Sequence, residues 1–170
     1  ARIVDAFRRD LPEDKLTFNV GLVGGGATTE MDAGRIRLDA TGKTNIIPAI
    51  AVARGDLRAI SQEQIDRTKA KMQAIVAQSL PATTALITFD KGGYPPMAPT
   101  EGNRALLARL NRVNADMGLE QMGELDPMDR GAGDISFVAK DVDGLLGLGP
   151  GGAGSHAPGE WVVIGSVFKQ

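Results

Sequence analysis

The 170-residue chain contains no cysteine and a single histidine. Without cysteine there is no disulfide framework, no thiolate metal site and no cysteine nucleophile. The absence fits reducing and oxidising compartments equally, so a cytoplasmic and a periplasmic or secreted location both stay open. One histidine restricts metal chemistry, because a zinc site draws three or four ligands from His, Cys, Asp and Glu. A site made by this chain alone would be almost all carboxylate. A Ser-His-Asp triad could use His156, but no Gly-x-Ser-x-Gly elbow is present. Long apolar runs are also missing. The cleanest, residues 46–53, is interrupted by Pro48, whereas a membrane-spanning helix needs roughly 20 apolar residues. Nor is there a basic excess: the net charge is −2. Nucleic-acid binders neutralise phosphates with clustered Lys and Arg, so neither a nucleic-acid nor a membrane partner is expected. The chain also lacks an initial methionine and a targeting segment, and it stops just after an apolar run. A fragment, a processed chain or one seen only in part is the expectation.

What is present suits a globular chain of one ordinary domain or two small ones. Hydrophobic residues make up 42% and charged residues 24%, enough to bury a core. Ile3, Val4 and Phe7 share one face of a short helix that Leu11-Pro12 ends. Leu16, Phe18, Val20 and Leu22 alternate with smaller or polar residues, as in a half-buried strand. Gly24-Gly25-Gly26 is expected to break that strand. Residues 27–44 are polar and irregular, with a hairpin expected around residues 35–38. Residues 45–58 read as extended, with Ile50, Val52 and Arg54 on one face and Ala49, Ala51 and Ala53 on the other. Ser61 and Gln64 form a capping box opening a helix with Ile65, Met72, Ile75 and Val76 on one stripe. Lys69 and Lys71 lie on its solvated side. A strand is expected at residues 83–90, and Gly92-Gly93-Tyr94-Pro95-Pro96 reads as a boundary. Beyond it come a helix over residues 101–117, a short strand over 119–124, a short helix through Ile135, Phe137 and Val138, and a buried strand at 145–148.

Three constellations are candidates for chemistry. Gly149-Pro150-Gly151-Gly152-Ala153-Gly154 follows an expected strand, as a phosphate loop would. The Lys-Ser/Thr of a Walker loop is absent, and so is the acidic residue of a dinucleotide fingerprint. A flexible loop that lets backbone approach a partner is the simpler reading. His156 and Glu160 form a His-x-x-x-Glu spacing, but Pro158 and Gly159 argue against a helix between them. From the pair alone, a surface histidine with a capping glutamate is the simpler reading. Asn45 and Arg58, at odd spacing in and after one extended segment, would fall on opposite faces. By periodicity alone they are a turn asparagine and a surface arginine.

Taken as ordered motifs, these residues resemble a known family. Thr44-Asn45-Ile46-Ile47-Pro48-Ala49 followed by Arg54-Gly55-Asp56-Leu57-Arg58 is similar to the lid signature of the glutamate carboxypeptidase and acetylornithine deacetylase family of zinc metallopeptidases. Gly131-Ala132-Gly133-Asp134, Gly144-Leu145 to Gly149, and Gly154-Ser155-His156 with Glu160 follow in the family's order. The similarity covers nearly the whole chain, with residues 27–44 looking like an insertion.

The resemblance implies an α/β architecture: an α+β lid with a small antiparallel sheet and two helices, then a C-terminal α/β segment of a zinc-exopeptidase catalytic domain. Residues 1–92 would be a partial lid and dimerisation domain, and residues 93–170 the C-terminal part of the catalytic domain. It implies metal-activated water attacking the amide of a small N-acyl amino acid or peptide, with two zinc ions roughly 3.5–4 Å apart in the complete enzyme. His156 matches the last zinc ligand. Asn45 and Arg58 match substrate-binding lid residues, the arginine taking the terminal carboxylate through its planar fork. Gly131 to Gly133 match a loop presenting backbone groups to substrate. The resemblance also implies a homodimer, paired through a lid sheet edge.

This sequence departs from the pattern in several places. The other zinc ligands, the general base and a lid histidine would lie before Ala1. Tyr94 stands where some members carry a second arginine, and the last family helix stops short after Val167. The chain alone is therefore expected to be inactive. A non-catalytic dimerisation module is the alternative, and a nucleotide-binding domain rests on the glycine loop only.

Overall fold

A computed structural model describes residues 1–168. The chain divides into two compact units: Ala1–Pro96 with Leu125–Arg130, and Met97–Glu124 with the chain from Gly131 onward.

In the first unit, helix α1 spans Arg2–Asp10. Its buried side is Ala6 and Phe7, and Leu11 closes it with no exposed surface. The Leu11 N–H still donates to the Phe7 carbonyl at 3.1 Å, but Pro12 cannot continue the helix. Arg8 and Arg9 in the last turn suit the negative end of the helix dipole. Helix α2 spans Gln62–Ala77 and opens as expected: the Gln64 N–H donates to the Ser61 hydroxyl at 3.2 Å. The Gln64 side chain reaches back and accepts from the Ile60 N–H at 3.1 Å, so orphan donors on both sides of the cap are satisfied. Met72, Ile75 and Val76 of α2 meet Ala6, Phe7 and Leu11, with Phe18 and Leu57 packed alongside. Burying one such large apolar side chain stabilises the fold by roughly 1.5–3 kcal/mol.

Strands β1 (Thr17–Gly26) and β4 (Ile50–Arg58) pair antiparallel, from Thr17 opposite Arg58 to Gly26 opposite Ile50. A bulge lies between Val20 and Leu22. Phe18 and Leu57 are on the helix side, so alternation along β4 puts Val52 and Arg54 on the outer face, and the bulge shifts β1 so that their partners Gly24 and Leu22 lie there too. The triple glycine does not end β1, contrary to expectation. A Cβ on Gly24 would sit 2.4 Å from the Leu38 side chain, and one on Gly26 would sit 2.2 Å from the Thr41 carbonyl oxygen. Glycine stands there because other chain passes against the strand. That chain is the hairpin of β2 (Thr28–Met31) and β3 (Leu38–Thr41), with its turn at residues 32–37.

Residues 83–90 were expected to form a strand, and no ladder partner for them exists among the described residues. The alternation survives nonetheless. Ile87 and Phe89 pack on the helical core while Leu86 is 88% exposed.

The second unit opens with α3, Glu101–Asp116, capped by Thr100, whose hydroxyl accepts from the Asn103 N–H at 3.0 Å. The same hydroxyl donates to Asp143 at 2.8 Å, and the Asn103 side chain accepts from the Gly144 N–H at 2.9 Å. Residues 119–124 form no strand. Instead the Met122 backbone is held in both directions by the Asn111 side chain, at 2.8 and 2.9 Å. A 3-10 turn at Asp134–Phe137 replaces the short helix, and residues 145–148 form no strand, with Leu146 58% exposed. A two-residue ladder joins β5 (Gly152–Ala153) to β6 (Trp161–Val162), and the short α4 (Ile164–Val167) follows. Among the described residues every buried apolar side chain belongs to the first unit. The second is held mainly by polar contacts at helix ends and turns. The fold is thus mixed helix and small antiparallel sheet, of the α+β kind.

Candidate functional site

His156 lies on the loop joining β5 to β6. Its φ is +64°, between the positive-φ Gly154 and Gly159; histidine is among the few non-glycine types that tolerate this region. The Ala157 N–H donates to the Gly154 carbonyl at 2.9 Å, and the Glu160 N–H to the Ala157 carbonyl at 3.2 Å. These successive turns put His156 at the exposed tip of the hairpin. Beside it is an open depression of about 230 Å³ lined by Pro150, Ser155, Glu160 and Trp161 among others. No group of three or more His, Cys, Asp or Glu side chains able to hold a metal ion occurs among the described residues. His156 offers one imidazole, and the residues around it do not make a zinc site.

Gly131 and Gly133 lie just before the 3-10 turn at Asp134–Phe137. Nothing would crowd a Cβ at Gly131, so its backbone is open to a ligand. Gly133 is enclosed: a Cβ there would meet the Leu146 side chain at 2.6 Å, and its carbonyl accepts from the Ser136 N–H at 3.0 Å.

Asn45 and Arg58 belong to the first unit and lie far apart in it. Asn45 is exposed in the loop before β4. That loop is tied to the far end of β1 by the Ala49 N–H, which donates to the Gly26 carbonyl at 2.9 Å. Arg58 ends β4 at the opposite end of the ladder, facing Thr17. A nine-residue strand spans roughly 26–30 Å, so one small molecule cannot touch both ends. The Arg58 guanidinium is exposed and donates through Nε to Asp56 at 2.7 Å, leaving its terminal nitrogens available.

Two charged clusters escaped the sequence reading. Asp90 accepts from both Arg35 and Arg54; the signal was a charged Arg54 on an otherwise apolar face with Ile50 and Val52. Glu13 gathers Arg67, Lys71 and Gln64. The Arg67 hydrogen bonds hold its carboxyl below the ordinary glutamate range, partly opposed by desolvation and reinforced by Gln64. Nothing local announced that pairing, because it joins residues far apart in the chain.

Residues 1–84 match the family model of the M20 peptidase dimerisation domain. No curated protein and no solved structure matches the chain. The family match supports a peptidase-family origin, a dimerisation role and formation of a homodimer.

Proposed function

With a peptidase dimerisation domain matched over residues 1–84, we propose that this chain is the lid and a C-terminal catalytic segment of an M20 metallohydrolase. The division is the one read from sequence, residues 1–92 and 93–170. The parent enzyme cleaves the amide bond of a small N-acyl amino acid or peptide carrying a free carboxylate, in the manner of the glutamate carboxypeptidases and acetylornithine deacetylases. Arg58 binds that carboxylate, Asn45 holds a polar group of the substrate, and Gly131 and Gly133 present backbone groups. His156 contributes one ligand toward zinc or another divalent ion. A single imidazole does not hold a catalytic ion, so what these residues supply is substrate binding and orientation.

The family match carries this reading, and the separation of Asn45 and Arg58 sharpens it. If both touch the same small substrate, they come from two copies of the chain. Each strand of the β1–β4 ladder keeps one edge without a ladder partner among the described residues. Such edges are ready sites for pairing with a second copy.

The test is a substrate panel of N-acyl amino acids and dipeptides against the gene's full-length product, with metal content measured in parallel. Hydrolysis that needs a divalent metal supports the enzyme. A dimeric product that binds no metal and cleaves nothing in the panel would establish the non-catalytic dimerisation module instead.

A further inference from the structure

The β2–β3 hairpin does not lengthen the sheet; it folds back across it. Leu38 of β3 lies against Gly24, where a Cβ would push the end of the Leu38 side chain aside. At the turn, the Ile36 and Arg37 N–H groups donate to the Asp32 carboxylate at 2.9 and 2.7 Å. From that turn the Arg35 guanidinium pairs with Asp90. Arg54 binds the other Asp90 oxygen at 3.0 Å and donates to the Arg35 carbonyl at 2.6 Å. Arg54 faces Leu22 across the ladder, so the tip has returned over the outer face, away from the end of the sheet.

We propose that this hairpin is a latched strap over the outer face of the sheet, with Asp90 as the latch. Its base is firm. The Ala27 N–H donates to the Thr41 carbonyl at 2.7 Å, and the Thr28 and Thr41 hydroxyls share a 2.6 Å hydrogen bond. Its tip is held by charged contacts between partly exposed side chains, with Arg35 47%, Arg54 33% and Asp90 53% accessible. Ion pairs of that exposure are weak and salt-screened, whereas the base has a short backbone hydrogen bond beside the one between the threonine hydroxyls. The strap therefore opens from the tip and pivots at residues 27 and 41. Opening uncovers Leu22 and Val52, which are half-buried on that face.

Limited trypsin digestion of the 170-residue chain followed by mass spectrometry tests the latch. Asp90→Asn and Arg35→Gln each remove ion pairing at the tip. Cleavage after Arg37 is expected to rise about threefold or more in either variant, while cleavage after Lys69 and Lys71 in α2 stays constant. Added salt should move the wild-type ratio of these cleavages toward that of the variants. The proposal is overturned if the Arg37 rate is unchanged in both variants, or rises only in step with the α2 sites. Should Asp90→Asn loosen the whole unit, Arg35→Gln decides, since Arg35 is on the turn and outside the sheet.

Discussion

Replacing Leu11 with alanine tests where the stability of this chain resides. Leu11 has no exposed surface and sits where the end of α1 meets Met72, Ile75 and Val76 of α2. Truncation removes the transfer free energy of the lost carbons and leaves a cavity between two helices that cannot close fully. Leu→Ala changes at such sites cost about 2–5 kcal/mol, and a fully enclosed position belongs in the middle, at about 3. Leu106→Ala in α3 is the internal control. It removes the same atoms from a 16-residue helix that buries no residue, so its cost should stay under about 1 kcal/mol. Urea titration followed by far-ultraviolet circular dichroism reads both. With a slope of about 1–3 kcal/mol per molar urea, Leu11→Ala moves the midpoint of the first unit down by roughly 1–3 M. A Leu106→Ala shift as large as that of Leu11→Ala would refute the claim that the apolar core lies in the first unit alone.

Other perturbations follow from individual contacts. Gly26→Ala places a Cβ against the Thr41 carbonyl oxygen, and backbone cannot yield as a side-chain tip does. It should cost about 1–3 kcal/mol and raise hydrogen exchange at the Ala27 amide. Ser61→Ala removes the acceptor for the Gln64 N–H and should cost α2 about 1 kcal/mol, read as a lower thermal midpoint. The Glu13 carboxyl has its folded-state pKa depressed, chiefly by Arg67 hydrogen bonding. Its contribution is therefore present above the ordinary glutamate range and is lost as pH falls through the folded value. The stability gap between wild type and Glu13→Gln should narrow on acidification and be constant at neutral pH. In the full-length product, Arg58→Ala should raise KM for carboxylate-bearing substrates by about 10- to 100-fold, the worth of a charge-assisted hydrogen bond, and Arg58→Lys should restore only part of it.

The helices were legible because local signals agreed. Ser61 with Gln64 marked the start of α2, Leu11-Pro12 the end of α1, and the stripes of Met72, Ile75 and Val76 the buried face. Strand β4 was legible as an extended run. The glycine run was misread because a glycine that ends a strand and one that admits a crossing chain look alike in one dimension. Leu38 and Thr41, which account for Gly24 and Gly26, lie well downstream. Residues 83–90 showed their faces correctly, since alternation reports which side is buried, but alternation carries no information about a ladder partner. Residues 119–124 lost their strand to Asn111, a helix side chain that no local pattern connects to Met122. At the candidate site, the exposed turn around His156 was legible from its glycines and proline. The wide separation of Asn45 and Arg58 followed only once β1 and β4 were seen to pair along their full length. The Asp90 latch joins three segments and leaves no local mark beyond the misplaced charge of Arg54.

Sedimentation equilibrium of the 170-residue chain across a range of micromolar concentrations tests dimerisation directly. The predicted result is a species of twice the chain mass that dissociates on dilution with a single constant. A chain that stays monomeric at every concentration up to about 100 μM, where even a weak specific association of roughly −6 kcal/mol would show, would contradict it.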